Sequence, residues 1–475
     1  MTAGRLVLPA LRWRPESGFA HEDAIIDASL ELGVGGFIVF GVGGGRADEI
    51  GRLTEEIRRR AGRALLIGAD LERGAGQQAR RLTEVPPPAA LASLQDPEVV
   101  AWAGTTTARE ARSIGINWVF APNADLDVEP ANPIVQTRSF GSDAGAVAAA
   151  VTTWIGAAQK EGVLACAKHY PGHGRTRIDS HQALPSVSIS LEELETSDLR
   201  PFISAIQAGV ASVMTAHVAY PAWDVSGLPA TRSPVILGHL RQSLGFAGII
   251  VTDALIMEGA RAGQGEEAAV IGALEAGCDL LLYPANAAAV VAALNRGADR
   301  STSVARRIAE SVERYQQALS RAGATPGPNP EPSGSDASAV AARLLQRGFV
   351  RGSAPDLTGG VRFEVVDDDL GGWYAPGPND LVIRSLAHRR RFEQASGKLI
   401  LLVFAEPRAA KGRAGLGAES LERLEAMVGE ASLVVLFGHP RLAAEIPGTC
   451  PILCAWHRQP LMQEAVASWI DQVAA

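Results

Sequence analysis

Residues 168–181 read KHYPGHGRTRIDSH, placing a lysine, an aspartate and three of the chain's nine histidines in one short stretch. Such residues could do two kinds of chemistry. His169, His173, His181 and Asp179 are ligand types that zinc favours. Pro171 and Gly172, however, interrupt any helix that would align a His-x3-His pair, and no glutamate lies between those histidines as a zinc protease needs. The expectation is that no metal and no cofactor is held here. The other chemistry is acid–base work. Asp179 and His181 are two apart, and a turn through Ser180 brings the carboxylate to one imidazole nitrogen. A carboxylate so placed fixes the tautomer and raises basicity, leaving the other nitrogen to move protons near neutral pH. For any one of these residues, solvated loop polarity stays open.

Further ionisable groups stand where apolar runs stop. Asp70 ends ALLIGAD, Lys168 and His169 end VLACAKHY, His217 closes ASVMTAHV, and Asp253 closes GIIVTDA. One such residue is usually a helix cap. Asp253, Asp70 and Asp125 each invite that reading, which local sequence alone favours for Asp253. Four runs ending this way look like a site. FGVGGGRADEI (40–50) suggests a dinucleotide loop only superficially: Arg46 stands at the third glycine position, and a permissive turn is expected.

The elements that must position these groups are eight apolar runs: 5–11, 35–40, 64–70, 117–125, 163–170, 211–218, 248–254 and 278–284. They are nearly continuous in Val, Ile, Leu and Ala, as strands buried on both faces of a parallel sheet are. Helix-patterned segments such as HEDAIIDASLELG and ADEIGRLTEEIRRRAG lie between them. This alternation predicts an α/β fold, a (β/α)8 TIM-like barrel over 1–323, with a doubly wound open sheet as the alternative. In such a barrel the strand ends and following loops carry the site. A Pro/Gly/Ser-rich linker is expected at 324–338, ATPGPNPEPSGSDAS. After it, 339–475 should form a smaller α/β sandwich domain with a parallel sheet, from KLILLVFAEP, SLVVLFGHP and CPILCAW. Nothing there gathers acid, base and nucleophile candidates, so its expected role is structural.

The 475 residues exceed what one core usually supports, and a net charge of −8 argues against nucleic acid and polyanionic membrane partners. Cys166 and Cys278 read as buried free thiols, and Cys450 and Cys454 as an isolated C-x3-C short of zinc ligands. No signal peptide or membrane span is apparent, which makes a cytoplasmic location the expectation.

With these residues in hand, the sequence resembles the family 3 glycoside hydrolases, and among them the β-N-acetylglucosaminidases of bacterial cell-wall recycling. KHYPGHG followed by DSH is similar to that group's signature loop, NPIVQTRSFG (132–141) to its arginine segment, and MTAHVAYPAWD and LGFAGIIVTDALIMEGA to its last two conserved stretches. The similarity runs from about residue 5 to 320. It implies a nucleophilic Asp253, against the cap reading, and His181 as acid/base oriented by Asp179. It further implies that Asp70, Arg138, Lys168 and His169 hold hydroxyls of the terminal sugar, that Met214 and His217 line the pocket, and that His173 is structural. The implied partner is a small carbohydrate, a β-GlcNAc glycoside that could include muropeptides. The implied reaction is retaining exo-hydrolysis through a glycosyl-enzyme, with phosphorolysis, a β-glucosidase or a catalytically silent sugar-binding barrel as alternatives.

Two departures stand out. Where the family usually reads Asp-x-Glu-Gly-Gly, this chain has DLERGAG, with Arg73 for a glycine; this puts a muropeptide aglycone in question. The aspartate pair often seen at the nucleophile is here TDA, with Asp253 alone.

Overall fold

A computed structural model describes residues 3–42, 44–323, 334–368, 397–407 and 411–474. Each apolar run of the first 323 residues contributes strand. The first is split by Pro9 into β1 (Val7–Leu8) and β2 (Ala10–Arg12); the others give β3 (Gly36–Phe40), β4 (Leu66–Ala69), β5 (Trp118–Val119), β6 (Leu164–Tyr170), β7 (Ser212–Thr215), β8 (Ile249–Thr252) and β9 (Leu281–Leu282). β2 to β8 pair in sequence order as a seven-stranded sheet, parallel throughout, and β1 pairs in parallel with β9. A bridge between Val251 and Leu280 joins β8 to the last strand and completes the barrel. The continuous apolar character follows: every residue of β6 is buried, Lys168 and His169 included. The helix Ala47–Ala61 buries Ile50, Thr54 and Ile57, one face at helical spacing, and ends on left-handed Gly62 (φ 60°).

The closing seam rests on a buried charge. Asp279 accepts from the Ile250 N–H (2.9 Å) and meets the guanidinium groups of Arg241 (2.6 Å), Arg307 (3.3 Å) and Arg314 (3.0 Å). Removing that carboxylate leaves three arginines facing one another. We expect Asp279→Ala to cost about 3–5 kcal/mol, read as a large fall in the thermal midpoint.

The second sheet has the order β10 (Phe349–Arg351), β14 (Ile452–Cys454), β13 (Ala431–Gly438), β12 (Lys398–Ala405), β11 (Val361–Asp367). All pairs are parallel except β10 with β14, so the sheet carries one antiparallel edge where an all-parallel one was expected. Alternation along β12 sorts its side chains by face. Ile400, Leu402 and Phe404 join the cluster shared with the barrel, through the helices Gly334–Gln346 and Pro460–Ala474. Leu399, Leu401 and Val403 pack on the other face with Leu424 and Val428, at the helix Ala418–Met427. This is the α/β sandwich.

Residues 324–333 of the Pro/Gly-rich stretch lie outside the described residues, and a helix opens at Gly334, inside the expected linker. All four cysteines are buried free thiols. Among the described residues no helix is long and apolar enough to cross a membrane. Polar contacts tie the sandwich to the barrel: Gln459 Nε2 donates to the Val85 carbonyl (3.1 Å), the Leu461 N–H to Glu84 Oε2 (2.9 Å), and Arg441 pairs with Asp127.

Candidate active site

At the C-terminal ends of the strands lies a cavity of about 410 Å³. Asp70, Arg138, Lys168, His169, Met214, Asp253 and His181 all line it, so residues up to 183 positions apart in sequence meet there. Another cavity, about 510 Å³, lies beside Arg175, Arg177 and residues 185–189 and holds none of these groups.

One wall is a charge network. Lys168 Nζ lies 2.7 Å from both Asp70 Oδ1 and Glu72 Oε1. Glu72 also receives Arg138 through two parallel bonds of 2.8 and 2.6 Å. Burial pushes the Glu72 carboxyl up, but Arg138 and Lys168 outweigh it and hold the group well below the usual carboxylate range. Lys168 is raised in turn: Asp70 and Glu72 overcome the desolvation that would lower it. The cations are therefore fixed, with donors left for oxygen atoms of a ligand.

The second wall is built around Asp125, fully buried where a cap was conceivable. Its carboxylate accepts from the His169 N–H (3.0 Å) and the His173 N–H (2.7 Å) and lies 2.8 Å from His169 Nδ1. With Nδ1 so engaged, His169 Nε2 is left 4.0 Å from Asp253 Oδ2. Asp253 is no cap: the next helix is Glu258–Arg261, preceded by Met257. Its Oδ1 accepts from the Ala254 N–H at 2.7 Å. Burial alone would raise its carboxyl; His169, His217 and His181 hold it down at about 2. Asp253 is thus an ionised, oriented carboxylate at neutral pH.

His181 Nδ1 lies 2.7 Å from Asp179 Oδ1, and the same oxygen accepts the His181 N–H at 2.9 Å. Asp179 is buried behind the ring, and His181 Nε2 has no hydrogen-bond partner among the described residues. The turn through Ser180 is pinned from two directions. His173 bridges Thr176 Oγ1 (2.8 Å) and Ser180 Oγ (2.9 Å), and the Gly259 N–H donates to the Ser180 carbonyl (3.0 Å), tying the loop to the segment after Asp253. Burial drives His173 down to about 4, so it stays neutral as a spacer. Gly174 is required where the loop crosses Leu126: a Cβ there would sit 1.7 Å from the Leu126 carbonyl oxygen.

The histidines of KHYPGHGRTRIDSH thus serve separate ends. His217 departs from expectation. It is fully buried, bonded to Thr231 Oγ1 (2.7 Å) and the Ala254 carbonyl (3.2 Å), and does not line the cavity; it braces the backbone beside Asp253. The sandwich also departs from its expected purely structural role, because Glu406, His457, Arg458 and Gln459 line the same cavity. Arg458 binds Glu406 (2.8 Å) and Asp367 (3.0 Å) there. Glu72, Glu406 and Arg458 escaped the sequence reading, of which only Glu72 had a signal, in DLERGAG; Asp125 was legible there only as a candidate cap at the end of its run.

Residues 20–318 match the glycosyl hydrolase family 3 N terminal domain. A β-N-acetylglucosaminidase/β-glucosidase of Cellulomonas fimi is 38% identical over 232 residues, 47% of this chain but only 41% of that protein. A β-hexosaminidase of Tolumonas auensis is 38% identical over 267 residues, 55% of this chain and 79% of that one. A family 3 β-N-acetylglucosaminidase from Paenibacillus sp. str. FPU-7 superposes with a TM-score of 0.80 at 27% identity, covering 100% of this chain and 96% of the other. With its barrel, its sandwich domain and the match across most of the barrel, the chain belongs to glycosyl hydrolase family 3 and is a glycoside hydrolase.

Proposed function

We propose that the protein is a retaining exo-β-N-acetylglucosaminidase that removes terminal GlcNAc. The observation that carries this reading is the pairing on one cavity of an ionised Asp253 with a His181–Asp179 dyad whose Nε2 is unengaged among the described residues. Asp253 attacks the anomeric carbon while His181 gives the leaving oxygen a proton. Water, deprotonated by the same imidazole, then opens the glycosyl-enzyme. Retaining enzymes ordinarily use two carboxyl groups. An imidazole in place of the second carboxyl spares Asp253 carboxylate–carboxylate repulsion. As the imidazolium backed by Asp179 it carries the Nε2 proton given to the leaving oxygen, and the neutral ring left behind takes a proton from water in the second step.

Asp70, Arg138, Lys168 and His169 hold the hydroxyls of the terminal sugar, and Met214 packs against it. The barrel, residues 1–323, supplies the chemistry, and the domain after 324–338 closes the cavity at one end. The name of the Paenibacillus protein, a β-N-acetylglucosaminidase, supports GlcNAc as the sugar, and that of the Tolumonas protein, a β-hexosaminidase, supports a hexosaminide. Products of cell-wall breakdown, handled in the cytoplasm, fit this reading.

The test is a side-by-side assay of 4-nitrophenyl β-GlcNAc, β-glucoside and β-xyloside, with and without phosphate. We expect the GlcNAc substrate to lead by at least about 10-fold, since a site built to hydrogen-bond a substituent discriminates strongly against its absence. A glucoside preference makes the protein a β-glucosidase; sugar 1-phosphate as the main product makes it a phosphorylase.

A further inference from the structure

Arg73, the residue that replaces a glycine of the family pattern, lines the cavity with a guanidinium that has no hydrogen-bond or ion-pair partner among the described residues. Its backbone is fully used: the N–H donates to Gln77 Oε1 (2.9 Å) and the carbonyl accepts from the Val85 N–H (2.9 Å). The backbone is therefore held at the wall, while the side chain differs from Arg138, Lys168 and Arg458, each of which is locked to carboxylates.

The carboxylates nearest in effect are otherwise occupied. Glu406 accepts from both the Arg458 N–H (2.5 Å) and Arg458 Nε (2.8 Å). Glu84 accepts from the Leu461 N–H, and burial pushes its carboxyl up to about 7, so it supplies only part of a negative charge. A guanidinium cannot shed its proton, and Arg73 is half-buried at the cavity wall, so its charge is partly desolvated with no carboxylate paired to it among the described residues. The side chain is thus matched to a negative group brought by a ligand.

The location says which part of the ligand. Arg73 stands where the sandwich meets the barrel: its carbonyl accepts from the Val85 N–H, the Val85 carbonyl accepts from Gln459 Nε2, and the adjacent Glu84 accepts from the Leu461 N–H. Asp253 and His181, which flank the bond to be broken, are held instead by the segments around Ala254 and Asp179. The neighbouring Glu72 in turn holds Arg138 and Lys168, the groups assigned to the sugar hydroxyls. We propose that Arg73 is a specificity determinant that binds an anionic substituent, a sulfate, phosphate or carboxylate, on the terminal sugar itself, at the edge remote from the anomeric carbon. This rests on the exo-glycosidase reading above.

The experiment uses the full chain and Arg73→Gln with the neutral substrate 4-nitrophenyl β-GlcNAc, its 3-, 4- and 6-O-sulfates, and an isomeric arrangement in which the acid lies on the leaving group, 3-carboxy-4-nitrophenyl β-GlcNAc. Cleavage of the neutral substrate by the unaltered protein tests the exo-glycosidase reading separately. The expected result is that one sulfate ester is cleaved and that its kcat/KM relative to the neutral substrate falls roughly 10- to 100-fold in Arg73→Gln, the range of a charge-assisted hydrogen bond. Arg73→Lys should recover part of that ratio. The ratio is internal to each protein, so partial misfolding does not imitate the effect. Cleavage of no sulfate ester, an unchanged ratio, or a loss confined to the acidic leaving group overturns the proposal. So does a loss seen only for turnover with inorganic phosphate, which would place the anion on the acceptor.

Discussion

Asp253→Asn is expected to lower kcat/KM by about 10,000-fold or more on every substrate, activated or not, since removal of a nucleophile acting within a catalytic unit costs effects of this size. The amide is nearly the same shape, and its oxygen can still accept the Ala254 N–H that orients Asp253 now. What disappears is the negative charge that His169, His217 and His181 stabilise, and with it the nucleophilicity of the oxygen that forms the glycosyl bond. The measurement is release of 4-nitrophenolate, with the thermal midpoint followed in parallel. Turnover within tenfold of the unaltered protein would show that the reaction does not pass through Asp253.

The second large effect separates bond-making from proton delivery. His181→Ala should slow substrates with alkoxide leaving groups by roughly 100- to 10,000-fold, the contribution of a positioned general acid. A dinitrophenyl glycoside, which departs without a proton, should lose far less in the glycosylation step. Asp179→Asn should move the same way by a smaller factor, because the imidazole keeps a hydrogen-bond acceptor but loses the buried charge behind Nδ1. The readout is the slope of log(kcat/KM) against leaving-group pKa, which should steepen in both variants. Equal losses on all leaving groups would rule out the acid role.

The ends of barrel strands explain why much of this was legible in sequence. A parallel barrel brings the C-terminal ends of its strands together, so Asp70, Lys168, His169 and Asp253 converge wherever the runs that precede them form strands. The rest depended on long-range geometry. Asp125 has the local signature of a cap, and only the return of His169 and His173 onto it shows its purpose. His217 ends its run as the others do, yet the ring turns to Thr231 and the Ala254 carbonyl. Glu406 directly follows β12 and Arg458 lies in the loop between β14 and the last helix, so no short motif contains them. The strands β10 and β11 were missed because both are edges: β10 has no buried residue, and β11 buries only Val361 and Val366.

Arg458 and Gln459 face the same cavity as Lys168 and Arg138, so on the proposed reading a ligand that fills it would touch both domains at once. Ligand and domain docking are then linked equilibria. Each tenfold excess of ligand over its Kd adds about 1.4 kcal/mol to the docked arrangement over any open one. By the same linkage, weakening the seam at Glu84–Leu461 or Asp127–Arg441 taxes affinity for the sugar, although neither pair touches the bond that breaks.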